Sequence, residues 1–332
     1  MNLAANIAVR IKRLYKNGSH DVREITGFNK KLYSNARGAR IVTYHGICIK
    51  DHLKFNTLFL RLDTFKAHLA FYKKHFHIIS LDDYYAKLFR EDKFNICICF
   101  DDGFYNNYKY VLPLLKEHEI PATFFITAIR EAGYDILWND FLSIIGKYGP
   151  GEITYKNEPF YKNKEGKYFR TEGSSLTDLL RLTDFEQKAE MIEQLNPATN
   201  FKQNKAEEDF WLQMTMEEIK NLSNDKLYSI GSHGYYHNDL ANLSTKQLHD
   251  EMIRSKEYLE RITGKKVRAI AFPYGSYTAA VIAAAKKAGY TQLLALNFNS
   301  QQNDETMKER IIVNPYISVA NQMLAIINGK YA

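Results

Sequence analysis

Cysteine is scarce in this chain of 332 residues: only Cys48, Cys97 and Cys99 occur, each on or beside an apolar, strand-like run. So few thiols exclude a disulfide framework. Cys97 and Cys99 would share one face of a strand and lack the spacing of a zinc knuckle, so all three are expected to be buried free thiols in a reducing compartment. No run approaches the apolar length of a membrane span. The stretch from Met1 to Asp21 has neither the apolar centre nor the small-residue cleavage site of a signal peptide, which makes the cytoplasm the expected location. Periodic repeats and low-complexity tracts are absent. Charge is not clustered either: the net +7 comes from dispersed lysines and arginines, which suits an acidic partner such as a phosphorylated lipid or an anionic glycan better than nucleic acid.

What is present is a soluble composition, 45% hydrophobic and 25% charged, in a chain long enough for one large α/β barrel or two smaller domains. Leu3, Ile7, Ile11, Leu14 and Tyr15 recur near one face of a predicted N-terminal helix, with Arg10, Lys12, Arg13 and Lys16 elsewhere. That pattern fits either the protein's own body or peripheral contact with the inner face of a membrane. Strands are then predicted at 40–44, 76–79, 96–100 and 122–127, with helices at 62–75, 81–89 and 108–118 between them, the first capped by Asp63. Alternation at this spacing argues for a parallel sheet or barrel. The rhythm breaks at residues 130–214, where short strands at 153–155, 160–161 and 168–170 suggest a meander and 176–195 one or two helices ended by Pro197. It resumes at a capping box on Thr215 and Glu218. A strand at 227–230, a second box on Ser244 and Gln247, a helix closed by Gly264, and strands at 267–271, 293–296 and 310–313 follow. The division expected is residues 1–39 as helix and connection, 40–129 with 215–332 as the main body, and 130–214 as an inserted α+β subregion decorating it.

Several chemically capable residues sit just past predicted strand ends: His45, the pair Asp101 and Asp102, His233 with His237, and Pro273 with Tyr274. In a parallel barrel these ends converge on one face, where such folds build active sites. Asp-Gly alone is ordinary turn chemistry, and His-x-x-x-His alone is often an accident of a surface helix. Together, Asp102, His233 and His237 offer two nitrogens and one oxygen, a donor set that leaves positions open for water.

Three short motifs in this order resemble the polysaccharide deacetylase family, also called the NodB-homology or carbohydrate esterase 4 family, across about residues 41–313. They are Phe100-Asp101-Asp102-Gly103, Ser232-His233 with His237, and Arg268 with Pro273-Tyr274-Gly275. The resemblance implies a distorted (β/α)7 barrel and hydrolysis of an N-acetyl group on a sugar. It makes Asp102, His233 and His237 ligands of one divalent metal ion, zinc first, with cobalt, nickel or iron also compatible. That ion would polarise the acetyl carbonyl and acidify its bound water. Asp101 becomes the base, and the main-chain N–H of Tyr274 an oxyanion donor. Two departures stand out. Ala271 occupies the place where the family often has an arginine that holds the base, with Arg310 the candidate replacement. No histidine follows His249, so the acid is assigned to His45 ahead of the aspartate motif, as in the permuted arrangement of deacetylases acting on poly-N-acetylglucosamine.

The substrate is expected to be an N-acetylated glycan or a lipid-linked or nucleotide-linked amino sugar. Trp138, Trp211, Tyr235 and Tyr236 are candidates to stack on sugar rings, and Pro273 and Arg310 to line the substrate site. An O-acetyl esterase or other amidase using the same metal, and a glycan-binding pseudoenzyme, are the competing readings.

Overall fold

The computed structural model describes residues 3–296 and 305–331, with residues 3–13 as backbone alone. Eight parallel strands organise the chain: β1 (Gly38–Tyr44), β2 (Phe76–Ile79), β3 (Phe94–Phe100), β4 (Ala122–Ile126), β5 (Tyr228–Ser232), β6 (Ala269–Ala271), β7 (Gln292–Leu296) and β8 (Met307–Ile312). Seven of them close in the order β1-β8-β7-β6-β5-β4-β3 and back to β1. β1 aligns Gly38 to Tyr44 with Phe94 to Phe100 on one side, and Ile41 to Thr43 with Arg310 to Ile312 on the other. β2 lies outside the ring, pairing with the lower half of β3 while β4 pairs with its upper two residues, Cys99 and Phe100. The fold is therefore the distorted (β/α)7 barrel that the motifs implied.

Runs buried on both faces explain why these strands are uninterrupted apolar segments rather than alternating ones. Every residue of β3 is buried. Inside the barrel, Ile41, Cys97, Cys99, Phe125, Ala271 and Leu294 pack on one another, so the thiols are free and buried. Gly231 makes room there, since a Cβ would meet the Phe125 ring at 2.4 Å. Outside, the larger cluster joins the strands to the helices, including Leu248, Met252 and Leu259 of the helix Thr245–Thr263. Both predicted capping boxes form, and Gly264 closes that helix in the left-handed region at φ 67°.

Other expectations shift. Asp63 does not cap its helix: Arg61 is the N-cap residue, and Asp63 pairs with the Arg61 guanidinium instead. The helix from Leu81 ends at Tyr85, because Lys87 turns to φ 55°. The N-terminal helix runs on to Ile25. Side chains of Leu3, Ile7, Arg10, Ile11, Lys12 and Arg13 lie outside the described residues.

Between β4 and β5 the chain builds the helix Trp138–Tyr148, a three-stranded antiparallel meander (Glu152–Tyr155, Glu158–Lys162, Tyr168–Phe169), and the helices Leu176–Arg181 and Phe185–Leu195. The two ends of this stretch meet: Arg130 donates to the Gln213 carbonyl at 2.6 Å, and Met214 N–H donates to the Gly103 carbonyl at 2.9 Å. Its core, around Trp138, Phe141 and Trp211, continues into Cys48, Phe55 and Phe59 of the loop after β1. The stretch is thereby seated against the C-terminal rim of the barrel, beside the residues that end β1 and β3.

Candidate active site

At the end of β3, Asp101 N–H still donates to the Tyr44 carbonyl of β1 at 2.9 Å, extending the ladder by one residue. The chain then turns, with Asp102 at φ 74° and Gly103 at φ 82°. The turn chemistry of Asp-Gly is thus real and also aims the carboxylate. Asp102 Oδ1 lies 3.3 Å from Nε2 of both His233 and His237. All three residues are buried, and their ligand atoms fall within 4.8 Å of one another. Asp102 Oδ1 has no hydrogen-bond partner among the described groups.

The two imidazoles are held from behind. His233 Nδ1 is 2.8 Å from the Ala271 carbonyl, so this nitrogen carries the proton and Nε2 presents its lone pair. His237 Nδ1 lies 3.1 Å from the Tyr274 hydroxyl. Their loop hangs on Glu251, which accepts from Tyr235 N–H at 2.5 Å, Tyr236 N–H at 3.2 Å and Asn238 Nδ2 at 2.6 Å. The sequence reading missed Glu251, although a glutamate on the apolar face that carries Leu248 and Met252 was a usable signal. Asp102, His237 and Tyr274, at φ 74°, 56° and 60°, are all non-glycine residues in the left-handed region. Such strain, about 1–3 kcal/mol each, persists where the surroundings over-determine a geometry. Two imidazole nitrogens, a buried carboxylate oxygen between them and second hydrogen bonds on the other ring nitrogens fit a divalent cation such as zinc.

Asp101 points into the barrel. Its Oδ1 accepts from Arg310 Nη1 at 2.6 Å, and both side chains are buried. Burial pushes the Asp101 carboxyl up, but Arg310, with His233 and His45, outweighs it and holds the pKa below the ordinary value. Asp102 is likewise held well below, burial being overcome by the two histidines. Arg310 on β8 thus occupies the place left by Ala271. It is a barrel-interior partner of Asp101, with the Phe125 ring 5.3 Å away, and not a substrate-lining residue. His45, at the end of β1, is 9% exposed with its Nδ1 unpaired among the described groups. Tyr274 N–H also donates to no described group, while the neighbouring Gly275 and Ser276 N–H groups are used within the turn. Arg268, at the opposite end of β6, pairs with Asp82 at the surface.

The aromatic candidates for sugar stacking are packed instead. Trp138 is 1% exposed and donates to the His237 carbonyl at 3.1 Å. Trp211 sits against Phe201, and Tyr235 is buried beneath Arg254. Tyr236 is stacked on Phe185 with centroids 4.2 Å apart. Pro273 is buried, within reach of Gly234 of the histidine loop. Large aromatic rings mostly fill cores: Trp211 belongs to the core of the rim, and Trp138, Tyr235 and Tyr236 pack in and around the histidine loop. The structure also adds Asp140, buried on the helix Trp138–Tyr148. Its Oδ1 is 3.3 Å from Asn56 Nδ2 and its Oδ2 is unpaired among the described groups. Burial, with Asp102 nearby, raises its pKa well above the ordinary value.

A family model described as polysaccharide deacetylase matches residues 90–146 and 175–293, leaving 147–174 between them unmatched. The deacetylase PplD of Streptococcus pyogenes, solved in complex with acetate, superposes with a TM-score of 0.56 at 17% identity, covering 88% of this chain and 99% of that one. IcaB of Ammonifex degensii gives 0.54 at 16% identity, with 88% and 98% covered. A de-N-acetylase from Aggregatibacter actinomycetemcomitans gives 0.54 at 17%, with 85% and 97% covered. These likenesses establish the shared fold. In sequence, the uncharacterized protein YlxY of Bacillus subtilis is 31% identical over 105 residues, which is 30% of this chain and only 33% of that protein's length.

Proposed function

The chain belongs to the polysaccharide deacetylase family, and we propose that it is a metal-dependent N-deacetylase acting on an amino sugar within a glycan or glycan precursor. The observation that carries this reading is the division of the two adjacent aspartates, Asp102 facing His233 and His237 while Asp101 is paired with Arg310. A binding module needs no such division.

Asp102, His233 and His237 would hold the divalent cation. When bound, that ion supplies Lewis-acid polarisation of the acetyl carbonyl and lowers the pKa of a coordinated water. Asp101, kept ionised by Arg310 and fixed by that bond, accepts the proton of the attacking water. The unengaged N–H of Tyr274 is a preorganised donor for the negative charge that develops on the carbonyl oxygen. His45 gives a proton to the departing nitrogen. An amine leaves poorly unless protonated, so the acid is more demanding for an amide than for an ester. Tyr274 serves twice, since its hydroxyl also orients His237.

The deciding experiment measures acetate release from N-acetylated sugars, free, nucleotide-linked and lipid-linked, with metal content determined on the same sample. Matched O-acetyl sugars form the control. Turnover of the amides supports the reading; turnover of the esters alone would replace it with an esterase.

The N-terminal helix supports a membrane-proximal role for the same enzyme. It docks on the C-terminal helix Val319–Asn328 through polar residues, with His20 3.1 Å from Asn321 and Asp21 2.8 Å from the same side chain. Among its described side chains the apolar ones face away: Leu14 is 65%, Tyr15 80%, Val22 60% and Ile25 87% exposed, with Lys16 and Arg23 also exposed. An apolar stripe flanked by cations fits the surface of an anionic bilayer. Flotation with anionic liposomes tests it: the chain should float, and a chain lacking residues 1–20 should not. No described helix is long and apolar enough to cross a membrane.

A further inference from the structure

The structure contains a lysine-lined groove that the deacetylation chemistry does not use. It has a volume of about 720 Å³, and the lysines on its walls are Lys54, Lys147, Lys162, Lys164 and Lys167. The first comes from the loop after β1, the second from the helix Trp138–Tyr148, and the last three from the meander. Two are engaged: Lys54 with Glu207, and Lys162 with the Gly149 carbonyl. Lys147, Lys164 and Lys167 are exposed, and their ammonium groups have no partner among the described residues. Glu165, the acidic residue of the same turn, is taken up by Asn163 Nδ2 at 2.6 Å.

One end of the groove, its inner end, lies at the start of the helix Trp138–Tyr148, whose first residue, Trp138, donates to the His237 carbonyl at 3.1 Å. Asp140 and Asn139 line it, and each carries a buried side-chain oxygen with no partner among the described groups. They follow Trp138, whose ring centroid is 6.4 Å from that of Tyr274, so this end of the groove is close in the fold to the His237 loop. Along the helix, Lys147 follows Asp140 by seven residues, a rise of about 10 Å. That distance accommodates a sugar ring at the inner end and an anionic group at the outer one. Lys147, Lys162, Lys164 and Lys167 all fall within residues 147–174, which the family model leaves unmatched.

We propose that this groove binds a phosphoryl group joined to the amino sugar, so that the substrate is a phosphorylated, activated sugar rather than a neutral polymer. The inference rests on the deacetylase reading for the inner end of the groove and on the lysines for the outer end. A diphosphate is recognised here by several ammonium groups acting as point charges in a partly enclosed space. The diphosphate of a nucleotide sugar and that of a polyprenyl-linked sugar present the same chemistry.

Steady-state acetate release by the zinc-loaded full chain at low salt tests it with three substrates: a nucleoside diphosphate N-acetylglucosamine, a polyprenyl diphosphate N-acetylglucosamine in detergent micelles, and a neutral N-acetylglucosamine oligomer. At least one phosphorylated substrate should show a KM roughly tenfold or more below that of the oligomer, an advantage that shrinks as salt is added. The one with the lower KM identifies the source. Combining Lys147→Gln, Lys164→Gln and Lys167→Gln should abolish the advantage while leaving the oligomer's KM and the metal content unchanged. The charge-matched combination of Lys220→Gln, Lys246→Gln and Lys287→Gln should leave it intact. Equal KM values for all three substrates, or equal losses from the two triple variants, overturn the proposal. Calorimetry with the nucleotide sugar on the metal-loaded Asp101→Asn chain separates the two readings. Lysine-dependent binding without acetate release from any substrate would sink the deacetylase assignment alone. Turnover of the oligomer with lysine-independent binding would sink the groove alone.

Discussion

The barrel and the stretch seated on its rim both bury ionisable side chains, by different means. In the barrel interior, Asp101 and Arg310 are partners at 2.6 Å, each neutralising the other. In the stretch between β4 and β5, Lys188 is fully buried against neutral acceptors, the Thr183 carbonyl at 3.0 Å and Asn238 Oδ1 at 2.5 Å. Asp140 is buried against the Asn56 amide alone. The consequence appears in their proton affinities. Asp101 is held ionised by its counter-charge, whereas burial pushes Lys188 down to about 8 and Asp140 well up. A barrel that closes on itself can bring a cation and an anion from distant strands into contact. In the stretch on the rim the outcome is mixed: Glu207 is buried against the Lys54 ammonium, while Lys188 and Asp140 hydrogen-bond only neutral groups and lean toward neutrality.

The largest effects should come from breaking the division of labour in the barrel. Asp102→Asn should lower kcat/KM by roughly ten-thousandfold or more and remove bound metal together with it. Asp101→Asn should lower kcat by about a hundredfold to ten-thousandfold with metal retained. Metal analysis beside turnover checks both, and loss of metal in Asp101→Asn would show the roles to be wrongly divided. Arg310→Met should come next, leaving a buried carboxylate unpaired. A stability loss of about 3–5 kcal/mol is expected in urea unfolding, with Arg310→Lys recovering part of it.

Gly146→Ala probes the rim. A Cβ there would meet the Gly166 carbonyl oxygen at 2.1 Å, so the helix and the meander must separate at a cost of about 3 kcal/mol. Metal content should be unchanged, because Asp102, His233 and His237, the proposed ligands, all follow barrel strands. Lys188→Met should have the smallest effect and the most telling pH dependence. The folded chain releases this proton near pH 8, the unfolded chain only near about 10.4. In that window the unfolded state binds more protons, so wild-type stability rises with pH. The variant lacks the rise, so its stability relative to wild type should fall by about 2 kcal/mol between pH 7 and pH 10. A constant difference would mean that Lys188 is not desolvated.

Most strands and the metal cluster were legible because parallel buried strands are apolar runs, and the residues that end them share one face whatever the register. Phe100-Asp101-Asp102-Gly103 needed only its own strand to be placed. Arg310 was harder. Its strand was visible, but that its side chain meets Asp101 depends on β8 lying beside β1 in a particular register, which no local pattern encodes. The aromatic residues misled for a related reason. Trp138 and Tyr236 carry both an apolar face and a polar group, and only the packing of the rim decides that the face is covered. Helix ends followed the capping chemistry where a serine or threonine was followed by its glutamate or glutamine. They departed from expectation at Asp63, which found a closer cation in Arg61. Asp140 and Lys188 gave no signal, since a charged residue on a predicted helix is expected to face water.

The double pairing of β1 also has a temporal meaning. Asp101 and Arg310 are 209 residues apart in the chain, and the strand that carries Arg310 is held between β1 and β7. During synthesis the aspartates and histidines emerge well before the strand that orients the base. Contacts of such long range form slowly, because loop closure must precede them. The nascent chain therefore passes through a stage in which Asp102, His233 and His237 are all present and Asp101 has no guanidinium partner. The Asp101–Arg310 pair can form only when β8 slots in and the ring shuts, so closure of the barrel registers that synthesis has passed β8.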